Sequence, residues 1–323
     1  MAEPGRTHTK LVGAPDYDDP NFWDFRFATG RDVGEWLNSG EALLDVVLSD
    51  LERRPGFQDT PRVLHLGPGV SQLGMKLRDA CMERQWMGNG IVNVDFSAEA
   101  VRLGQEAERH QAPHKAMHWL RADLLSWEHV STLIPFAPFD VILDKSTSDA
   151  IATFSDRKIS SEDDLSCICP TVRPFLSSEP TVTLSPVEAL ALHLVPLTQT
   201  NTTWIALSYS TLRFDSLPFL AKYWSLRSRT PLKATPRRRL LHGLHPGGFP
   251  LDLCYGPQIT SFSRGMVLMA ATNRPHDTFQ RRGSKNESRF QVYPFPAGFW
   301  SRVELDLQLH DNTLYRIIAS ISG

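Results

Sequence analysis

The chain contains 323 residues, of which 41% are hydrophobic and 22% charged, as is usual for a globular protein with a sizeable core. Its formal net charge of −2 gives no general attraction to nucleic acid or to an anionic membrane. The first residues, MAEPGRTHTK, lack the apolar stretch of a secretory signal, and no run of about 18 apolar residues occurs. We therefore expect a cytosolic or nuclear protein, assigned here to the cytoplasm, without nucleic-acid or membrane partners.

The four cysteines agree with a reducing compartment. Cys81, Cys167, Cys169 and Cys254 have neither the spacing of a disulfide framework nor that of a zinc site. Cys167 and Cys169 form a C-x-C pair without a second pair or a nearby histidine, so no metal site is predicted.

Strands and helices alternate over the first two thirds of the chain. Residues 32–53 carry apolar positions at helical spacing, and a proline-bounded loop leads from them to a strand at 62–66. Ser71 and Ser97 stand where a side chain caps the next two helices. Further strands are predicted at 90–96, 116–124, 139–146 and 202–210, and a helix at 186–199. This alternation predicts an α/β fold with a doubly wound, mostly parallel, seven-stranded Rossmann-like sheet and helices on both faces.

The domain organisation is less regular beyond the fourth strand. Residues 155–186, rich in Ser, Pro and Asp, are either a lid-like loop or a disordered insertion. Residues 265–273 predict another strand, and 301–322 predict either two strands or a strand and a helix. We expect one domain at 1–274 and a carboxyl-terminal extension at 275–323 packed on it.

A bend with little side chain follows the first strand in VLHLGPGVS. Gly67 and Gly69 permit positive φ and let the backbone come close to a ligand. In an open parallel sheet, the ligand crevice lies at the carboxyl ends of the strands. Ser71 then starts a helix whose free N–H groups favour a negative group such as a carboxylate. The bend predicts a binding site for a nucleotide-like ligand. The alternative is a tight strand-to-helix turn that binds no ligand.

Three aspartates close successive strands. Asp95 ends the second strand, 26 residues after Gly69, where an acid can accept hydrogen bonds from both hydroxyls of a ribose. Asp123 closes the third strand and Asp144 the fourth. Each is singly a common turn residue, but three in succession favour one functional edge.

Four strings carry a resemblance to a known family: FWDFRF, LHLGPGVSQL, VNVDFS and DVILDKSTSDAI. At these residues the chain resembles the class I S-adenosylmethionine-dependent methyltransferases. The nearer likeness is to the methyltransferase-like family that includes lysine and amino-terminal methyltransferases of translation elongation factor 1-alpha, which shows D-K-G-T-x-D-A at the last string. The resemblance covers residues 20–154 and extends weakly to 203–214. It implies an enzyme, a methyltransferase whose cofactor is S-adenosyl-L-methionine.

The resemblance implies a role for each residue of the bend and of the second strand end. Gly67, Pro68 and Gly69 are expected along the methionine and ribose of the cofactor. Asp95 is expected to bind the ribose, and Phe96 to lie beside the adenine.

Further cofactor contacts follow from the same resemblance. Asp123 and Leu124 are expected to take the amino group and ring edge of the adenine. Trp23 and Arg26 match the segment that closes over the cofactor, where an arginine fork can pair with the methionine carboxylate. Core packing is the alternative for Trp23. Ser71, at a position where many class I enzymes have a third glycine, belongs to the same set.

The acceptor end departs from the family pattern. Ser146 replaces the family glycine and Ser148 an apolar residue, and His65 stands where many class I enzymes have an acid. Asp144 is the candidate catalytic residue, either receiving a proton from the acceptor or positioning it. We prefer positioning, because an acid with a pKa of about 4 is a poor base at neutral pH. Lys145 is expected to pair with an acid.

Three functions remain open. We prefer methyl transfer to an N or O nucleophile of a small molecule, with residues 155–186 and the carboxyl-terminal extension enclosing the acceptor. The alternative is a protein lysine methyltransferase, which needs an open acidic groove, with SEDD at 161–164 as its linear hint. A non-catalytic cofactor-binding scaffold is the third. Aromatic residues that could line a small-molecule pocket are Trp204, Tyr209, Phe214, Trp224 and Trp300.

Overall fold

The computed structural model describes residues 16–30, 35–54, 60–215 and 217–231 with their side chains, and the backbone of strands at 265–271, 303–308 and 314–319. The helices are α1 Pro20–Thr29, α2 Glu41–Glu52, α3 Leu73–Glu83, α4 Ala98–Glu108, α5 Trp127–Ser131, α6 Thr147–Ile151, α7 Arg173–Leu176 and α8 Pro186–Leu194. The strands are β1 Val63–Leu66, β2 Ile91–Asp95, β3 His118–Arg121, β4 Phe139–Lys145, β5 Arg157–Ser160, β6 Thr181–Leu184, β7 Thr198–Ser208, β8 Trp224–Pro231, β9 Gly265–Ala271, β10 Val303–Gln308 and β11 Leu314–Ala319.

The main sheet has the strand order β3-β2-β1-β4-β7-β9-β8. The first five strands of this order pair in parallel, whereas β9 pairs antiparallel with both β7 and β8. The predicted α/β class with a mostly parallel sheet is therefore confirmed. β1 lies between β2 and β4, so the chain reverses its direction of travel through the sheet at β1. A ligand crevice is expected at the carboxyl ends of the strands beside this reversal.

Two clusters of buried apolar side chains cover the sheet, because successive strand residues point to opposite faces. Leu64 and Trp204 belong to the cluster that contains α5 and α8. Val63 and Ile205 belong to the cluster that contains α2 and α3. Full burial of one such side chain stabilises the fold by about 1.5–3 kcal/mol. The sheet edge that carries the candidate site is thus held on a packed framework.

Residues 155–186 contain regular structure. β5 and β6 pair as an antiparallel two-stranded sheet, and α7 lies between them in the chain. Ile168, Val172 and Phe175 are buried in the same cluster as α8. The segment therefore contributes to the core on that face, and a lid function for it stays a prediction.

Several element boundaries differ from the sequence predictions for local reasons. The helix predicted at 32–53 begins at Glu41, after Gly40 in a left-handed conformation. The helix predicted to reach residue 199 ends at Leu194, because a 3₁₀ turn containing Pro196 follows and β7 begins at Thr198. Helix α1 was not predicted, although Asp19 caps it and Pro20 occupies its first turn.

The two predicted serine caps have different outcomes. Ser97 is the N-cap of α4, and its side chain accepts a hydrogen bond from the N–H of Ala100, as predicted. Ser71 is not the N-cap of α3, because Gln72 holds that position. The Ser71 hydroxyl still accepts a hydrogen bond from the N–H of Leu73 at 3.2 Å. Ser71 therefore satisfies a free N–H of the first turn, although it precedes the N-cap by one residue.

The chain divides into two compact units, Met1–Asn273 and Arg274–Gly323. In the second unit, β10 and β11 pair as an antiparallel hairpin, which confirms the two-strand alternative for residues 301–322. Packing of the extension at 275–323 on the first unit stays a prediction. Among the helices that the structure describes, none has both the length and the apolar character needed to cross a bilayer.

Candidate cofactor and acceptor site

The bend after β1 is joined to the end of β2 by two hydrogen bonds. Gly67 and Gly69 have φ values of 50° and 53°, in the left-handed region that favours glycine. The N–H of Gly67 donates to the carbonyl of Val94 at 2.8 Å, and the N–H of Gly69 donates to Asp95 Oδ2 at 2.9 Å. The bend and the first predicted aspartate therefore form one unit at the edge where the sheet reverses.

Asp95 keeps hydrogen-bond capacity for a ligand. Its other oxygen, Oδ1, accepts the N–H of Ser97 at 2.9 Å, and the residue is only 5% exposed. Burial raises the pKa of Asp95 to about 6, against the lowering effect of these N–H groups, and the charge of Asp24 adds to the rise. A carboxylate has about four lone-pair positions, more than these backbone donors fill. Binding of the two ribose hydroxyls by Asp95 stays a prediction.

Protein atoms approach the bend where glycine lacks a side chain. A Cβ on Gly67 would lie 2.4 Å from Oγ1 of Thr147, and a Cβ on Gly69 would lie 3.0 Å from Cζ of Phe27. Thr147 Oγ1 also donates to the carbonyl of Leu66 at 2.7 Å. The positive φ and the contact with Thr147 therefore both favour glycine at position 67, and a tight contact with Phe27 favours it at position 69, causes that the sequence analysis did not identify. Pro68, between them, is buried.

The strand-end aspartates lie along one edge of the sheet. Asp95 pairs in register with Arg121 on β3, and Asp144 pairs with Leu66 on β1. Asp123 follows Arg121 by two residues and accepts the N–H of Leu125 at 2.8 Å. The structure thus places all three aspartates at carboxyl-terminal strand ends on the same edge of the sheet.

The two predicted adenine neighbours are partly engaged with the protein. Phe96 is half-buried, and its carbonyl accepts Nε of Arg121 at 3.3 Å. Leu124 is buried, and its carbonyl lies 2.9 Å from Nδ1 of His193. Their predicted contacts with adenine stay predictions.

His65 does not replace the missing acid of the family pattern. Its ring is 1% exposed and its Nδ1 lies 3.0 Å from Oδ1 of Asn93. Burial lowers the pKa of His65 to about 4, so the ring is neutral at neutral pH. It is a packed residue of β1 beneath the bend.

Asp144 faces protein donors. Its Oδ1 accepts the N–H groups of Thr147 at 2.8 Å and Ser148 at 3.2 Å, and its Oδ2 accepts Nε1 of Trp204 at 3.3 Å. The residue is fully buried, and burial, with a smaller effect of Asp149, raises its pKa to about 6. These contacts cap the start of α6. They support a positioning role, and the catalytic role stays a prediction.

The negative group at the start of α3 is the chain's own Glu35. Its carboxylate accepts the hydroxyl of Ser71 and the N–H of Gln72, each at 2.8 Å, and it pairs with the ammonium of Lys145. Burial alone raises the pKa of Glu35, but the hydrogen bonds from Lys145, Gln72 and Ser71 outweigh it and hold the pKa below its ordinary value. Lys145 also donates to the carbonyl of Asn38 at 3.1 Å. The prediction that Lys145 pairs with an acid is confirmed.

Helix α1 lies beside the bend and docks on α4. Asp24 accepts the hydroxyl of Ser97 and, at 3.0 Å, the N–H of Glu99. Trp23 donates through Nε1 to the carbonyl of Tyr17 at 3.0 Å, and the Arg26 guanidinium lies 6.0 Å from the Trp23 ring centroid. The closing role of this segment and the pairing of Arg26 with a ligand carboxylate stay predictions.

Asp149 organises the acceptor end. It accepts the hydroxyl of Ser208 at 2.6 Å, the N–H of Tyr209 at 2.8 Å and Nε of Arg213 at 2.9 Å. Ser146, at the position where the resemblance implies glycine, has a φ of 67°, in the left-handed region that favours glycine. Ser148 is fully buried and forms part of the turn that Asp144 caps.

The candidate pocket aromatics divide into two groups. The ring centroid of Trp204 lies 4.8 Å from that of Phe214 and 5.5 Å from that of Trp224, so these three rings form core. Phe214 and Trp224 also line a largely apolar cavity of about 420 Å³, whose lining includes neither Trp204 nor Asp144. Tyr209 instead lies at the carboxyl end of β7, and Trp300 lies outside the described residues.

Sequence reasoning missed three acids of this site: Asp24, Glu35 and Asp149. Each acts on a partner distant in the chain, and no local spacing identifies such a pair. Asp149 alone carried a signal, as the second aspartate of DKSTSDA. No group of three or more His, Cys, Asp or Glu side chains suited to a metal occurs in the part of the chain that the structure describes.

Comparisons with known proteins found methyltransferases among the sequence relatives. No protein-family model matches the chain. The chain is 28% identical to methyltransferase srdJ of Neurospora crassa over 207 residues, which cover 64% of this chain and 72% of that protein. It is 29% identical over 146 residues to the eEF1A lysine and N-terminal methyltransferase of Mus musculus, covering 45% of this chain but only 18% of that longer protein.

A solved methyltransferase structure shows a weaker likeness to the chain. The N-methyltransferase NodS from Bradyrhizobium japonicum, in complex with S-adenosyl-L-homocysteine, aligns with a TM-score of 0.39 and 11% identity over 73% of this chain and 88% of that chain. The two sequence relatives confirm the resemblance to methyltransferases. The predicted enzyme class, a methyltransferase, is thereby confirmed, and its dependence on S-adenosyl-L-methionine stays a prediction.

Proposed function

We propose that this chain transfers a methyl group from S-adenosyl-L-methionine to a nitrogen or oxygen nucleophile of a small-molecule acceptor. The observation that carries the proposal is the hydrogen bond from the Gly69 N–H to Asp95 at the reversal point of the sheet. It joins a glycine bend to a buried carboxylate that retains acceptor capacity. An adenosyl group needs both features, close backbone approach and a ribose acceptor.

The residues expected to hold the cofactor are those of the bend and the neighbouring strand ends. Asp95 accepts the ribose hydroxyls, Asp123 and Leu124 lie where the adenine edge is expected, and Phe96 stands beside the ring. When bound, the cofactor supplies an electrophilic methyl group on a sulfonium, which leaves as a neutral thioether. The protein has to bind, orient and exclude water, and orientation alone can supply roughly 7–11 kcal/mol of the barrier.

Asp144 supports this orientation from below the surface. Its hydrogen bonds fix the start of α6 and the indole of Trp204, and no part of the residue is exposed. A carboxylate held in this way shapes the acceptor edge without contacting bulk solvent. The proton of the acceptor therefore passes to water, and Asp144 remains a positioning residue in this proposal.

Protein lysine methylation is the second candidate, favoured by the likeness to the eEF1A lysine and N-terminal methyltransferase. The sequence feature that suggested a protein substrate was the acidic segment at 161–164. In the structure, Asp163 accepts the N–H of Ser160 and Asp164 that of Ser166, each at 2.8 Å, so both acids stabilise their own turns. This use of the acids supports the small-molecule proposal. A non-catalytic scaffold is the third candidate.

Labelled cofactor distinguishes the three. The full chain is incubated with methyl-labelled S-adenosyl-L-methionine and either a metabolite extract or a cell lysate. We expect label in extractable small molecules, and none with Asp95→Ala. Label in protein bands would instead establish the second candidate. If calorimetry shows binding of S-adenosyl-L-homocysteine but no label is transferred to either mixture, the non-catalytic scaffold would be the remaining candidate. The cytoplasmic location and the lack of nucleic-acid or membrane partners stay predictions.

A further inference from the structure

Two aromatic side chains from distant parts of the chain meet at the acceptor end of the sheet. Tyr209 directly follows β7, next to the end of β4, and Trp36 lies in the segment before α2. Their ring centroids are 6.4 Å apart with the planes at 83°, and both residues are half-buried. Trp36 also contacts Trp23 at 6.0 Å and Tyr17 at 5.9 Å, so aromatic rings run from α1 to the end of β7. We call Trp36 and Tyr209 the aromatic wall.

Hydrogen bonds and ion pairs hold the chain in place at or next to each ring of the aromatic wall. Asp149 accepts the N–H of Tyr209 itself and the guanidinium of Arg213, whose Nη2 lies 2.8 Å from Oδ1. Glu35, the neighbour of Trp36, is held by Lys145 and the start of α3. Ordered rings lose little further conformational entropy when a ligand stacks on them, which favours binding.

The acids around the aromatic wall already have protein partners, which disfavours a cationic acceptor. Glu35 is paired with Lys145, Asp149 with Arg213, and Asp144 accepts backbone N–H groups and an indole N–H. A protonated amine arriving here meets acids that already have partners, together with the cations of Lys145 and Arg213. An uncharged aromatic ring instead meets edge and face contacts that are favourable beyond the area that they bury.

We propose that Trp36 and Tyr209 bind the acceptor and that the acceptor is an uncharged, flat aromatic molecule bearing a hydroxyl or ring-nitrogen nucleophile. Glu35 and Asp149 act as positioning residues through the two rings. The nucleophile forms a bond to the methyl carbon as the carbon–sulfur bond breaks, and the electron pair of that bond stays on sulfur. A hydroxyl or N–H nucleophile then releases its proton to water, whereas a ring nitrogen without hydrogen keeps the positive charge as an N-methyl cation. This inference rests on the proposed function and adds the class of its substrate.

Ligand-observed saturation-transfer NMR and calorimetry test it on the full chain loaded with S-adenosyl-L-homocysteine. The probes are 2-naphthol, indole and quinoline, with N-acetyl-lysine amide as the cationic comparison. We expect the ring probes to bind and the lysine compound not to bind. Trp36→Ala and Tyr209→Ala should each weaken ring binding at least about tenfold, a loss of about 1.4 kcal/mol. Phe25→Ala, at an aromatic residue of α1 that is 63% exposed, is the matched control and should change nothing.

The positioning residues have a separate readout. Glu35→Gln and Asp149→Asn should weaken binding of the ring probes by a larger factor than binding of S-adenosyl-L-homocysteine, whereas a merely structural role would weaken both by the same factor. Failure of the wild-type chain to bind S-adenosyl-L-homocysteine would overturn the proposed function itself. If the wild type binds it, then tight binding of the lysine compound, no ring binding, or equal ring binding by all variants overturns this inference alone. Should the alanine variants not fold, Tyr209→Leu and Trp36→Leu keep a larger apolar side chain without a ring and carry the same expectation.

Discussion

Gly67 serves the packing of the site as well as its expected ligand. A side chain there meets two separate penalties, the left-handed φ of 50° and an approach of 2.4 Å to Thr147. We predict that Gly67→Ala lowers the free energy of unfolding by about 3 kcal/mol, from backbone strain and overpacking together. Denaturant unfolding followed by circular dichroism measures this change.

Gly30 provides the matched control for this prediction. Its φ is 64°, yet a Cβ there would meet no atom within 4 Å. Gly30→Ala should therefore cost only about 1 kcal/mol, the backbone part of the effect. Adding Thr147→Ala to Gly67→Ala should recover part of the loss. Equal effects of Gly67→Ala and Gly30→Ala would show that contact with Thr147 contributes nothing.

Asp95 makes cofactor binding dependent on pH. Its pKa is raised to about 6, and the ionised form is the stronger acceptor for ribose hydroxyls. Since the group is ionised above its pKa, affinity should be constant above about pH 7 and fall as the pH drops through 6, approaching tenfold per unit. Calorimetric titration with S-adenosyl-L-homocysteine between pH 5 and 8 gives the profile. Asp95→Asn should bind more weakly and lose this dependence, and a variant profile that keeps the wild-type slope would assign the titration to another group.

Helix α1 shows how an element distant in sequence completes the site. The helix supplies Phe27 against Gly69 and Asp24 against the start of α4, so it covers the bend from outside the sheet. None of its residues is buried, and its attachment therefore depends on a few specific contacts. Such an element is expected to open locally more readily than the strands beneath it.

Asp24 is the residue whose removal should loosen α1. It accepts hydrogen bonds from Ser97 and from the first turn of α4, and loss of a cap of this kind costs about 1 kcal/mol. We predict that Asp24→Ala speeds amide hydrogen exchange in residues 20–29 about fivefold and speeds release of S-adenosyl-L-homocysteine. Glu83→Gln, on the exposed side of α3, is the control. Unchanged exchange in α1 would mean that other contacts hold the helix.

At the scale of the whole molecule, the chain separates into a unit that contains the sheet and the site and a second unit that begins at Arg274. The expectation that the extension packs on the first unit has a direct test. Removal of residues 274–323 should lower the Tm by at least about 2–4 °C, the shift that a loss of about 1 kcal/mol produces in a domain of this size. Differential scanning fluorimetry of both forms measures it. An unchanged Tm would show two independent units.

The sequence by itself determined which residues lie at the carboxyl-terminal edge of the sheet. Hydrophobic periodicity, the glycine bend and an aspartate at each strand end are local patterns, because side-chain direction and strand ends repeat along the chain. Asp95, Asp123 and Asp144 could therefore be assigned to one edge before any coordinates. The Ser97 cap was identifiable for the same reason, since a cap bonds to an N–H only three residues away.

Only the tertiary structure decided what surrounds that edge. The partners of Glu35 and Asp149 lie as far as 110 and 64 residues away in the chain, and a sequence pattern does not encode which distant groups the fold brings into contact. The same holds for Phe27 against Gly69 and for Trp36 beside Tyr209. Burial also changes the acids themselves, because desolvation raises the pKa of Asp95 and Asp144 to about 6, and desolvation is a property of the folded state.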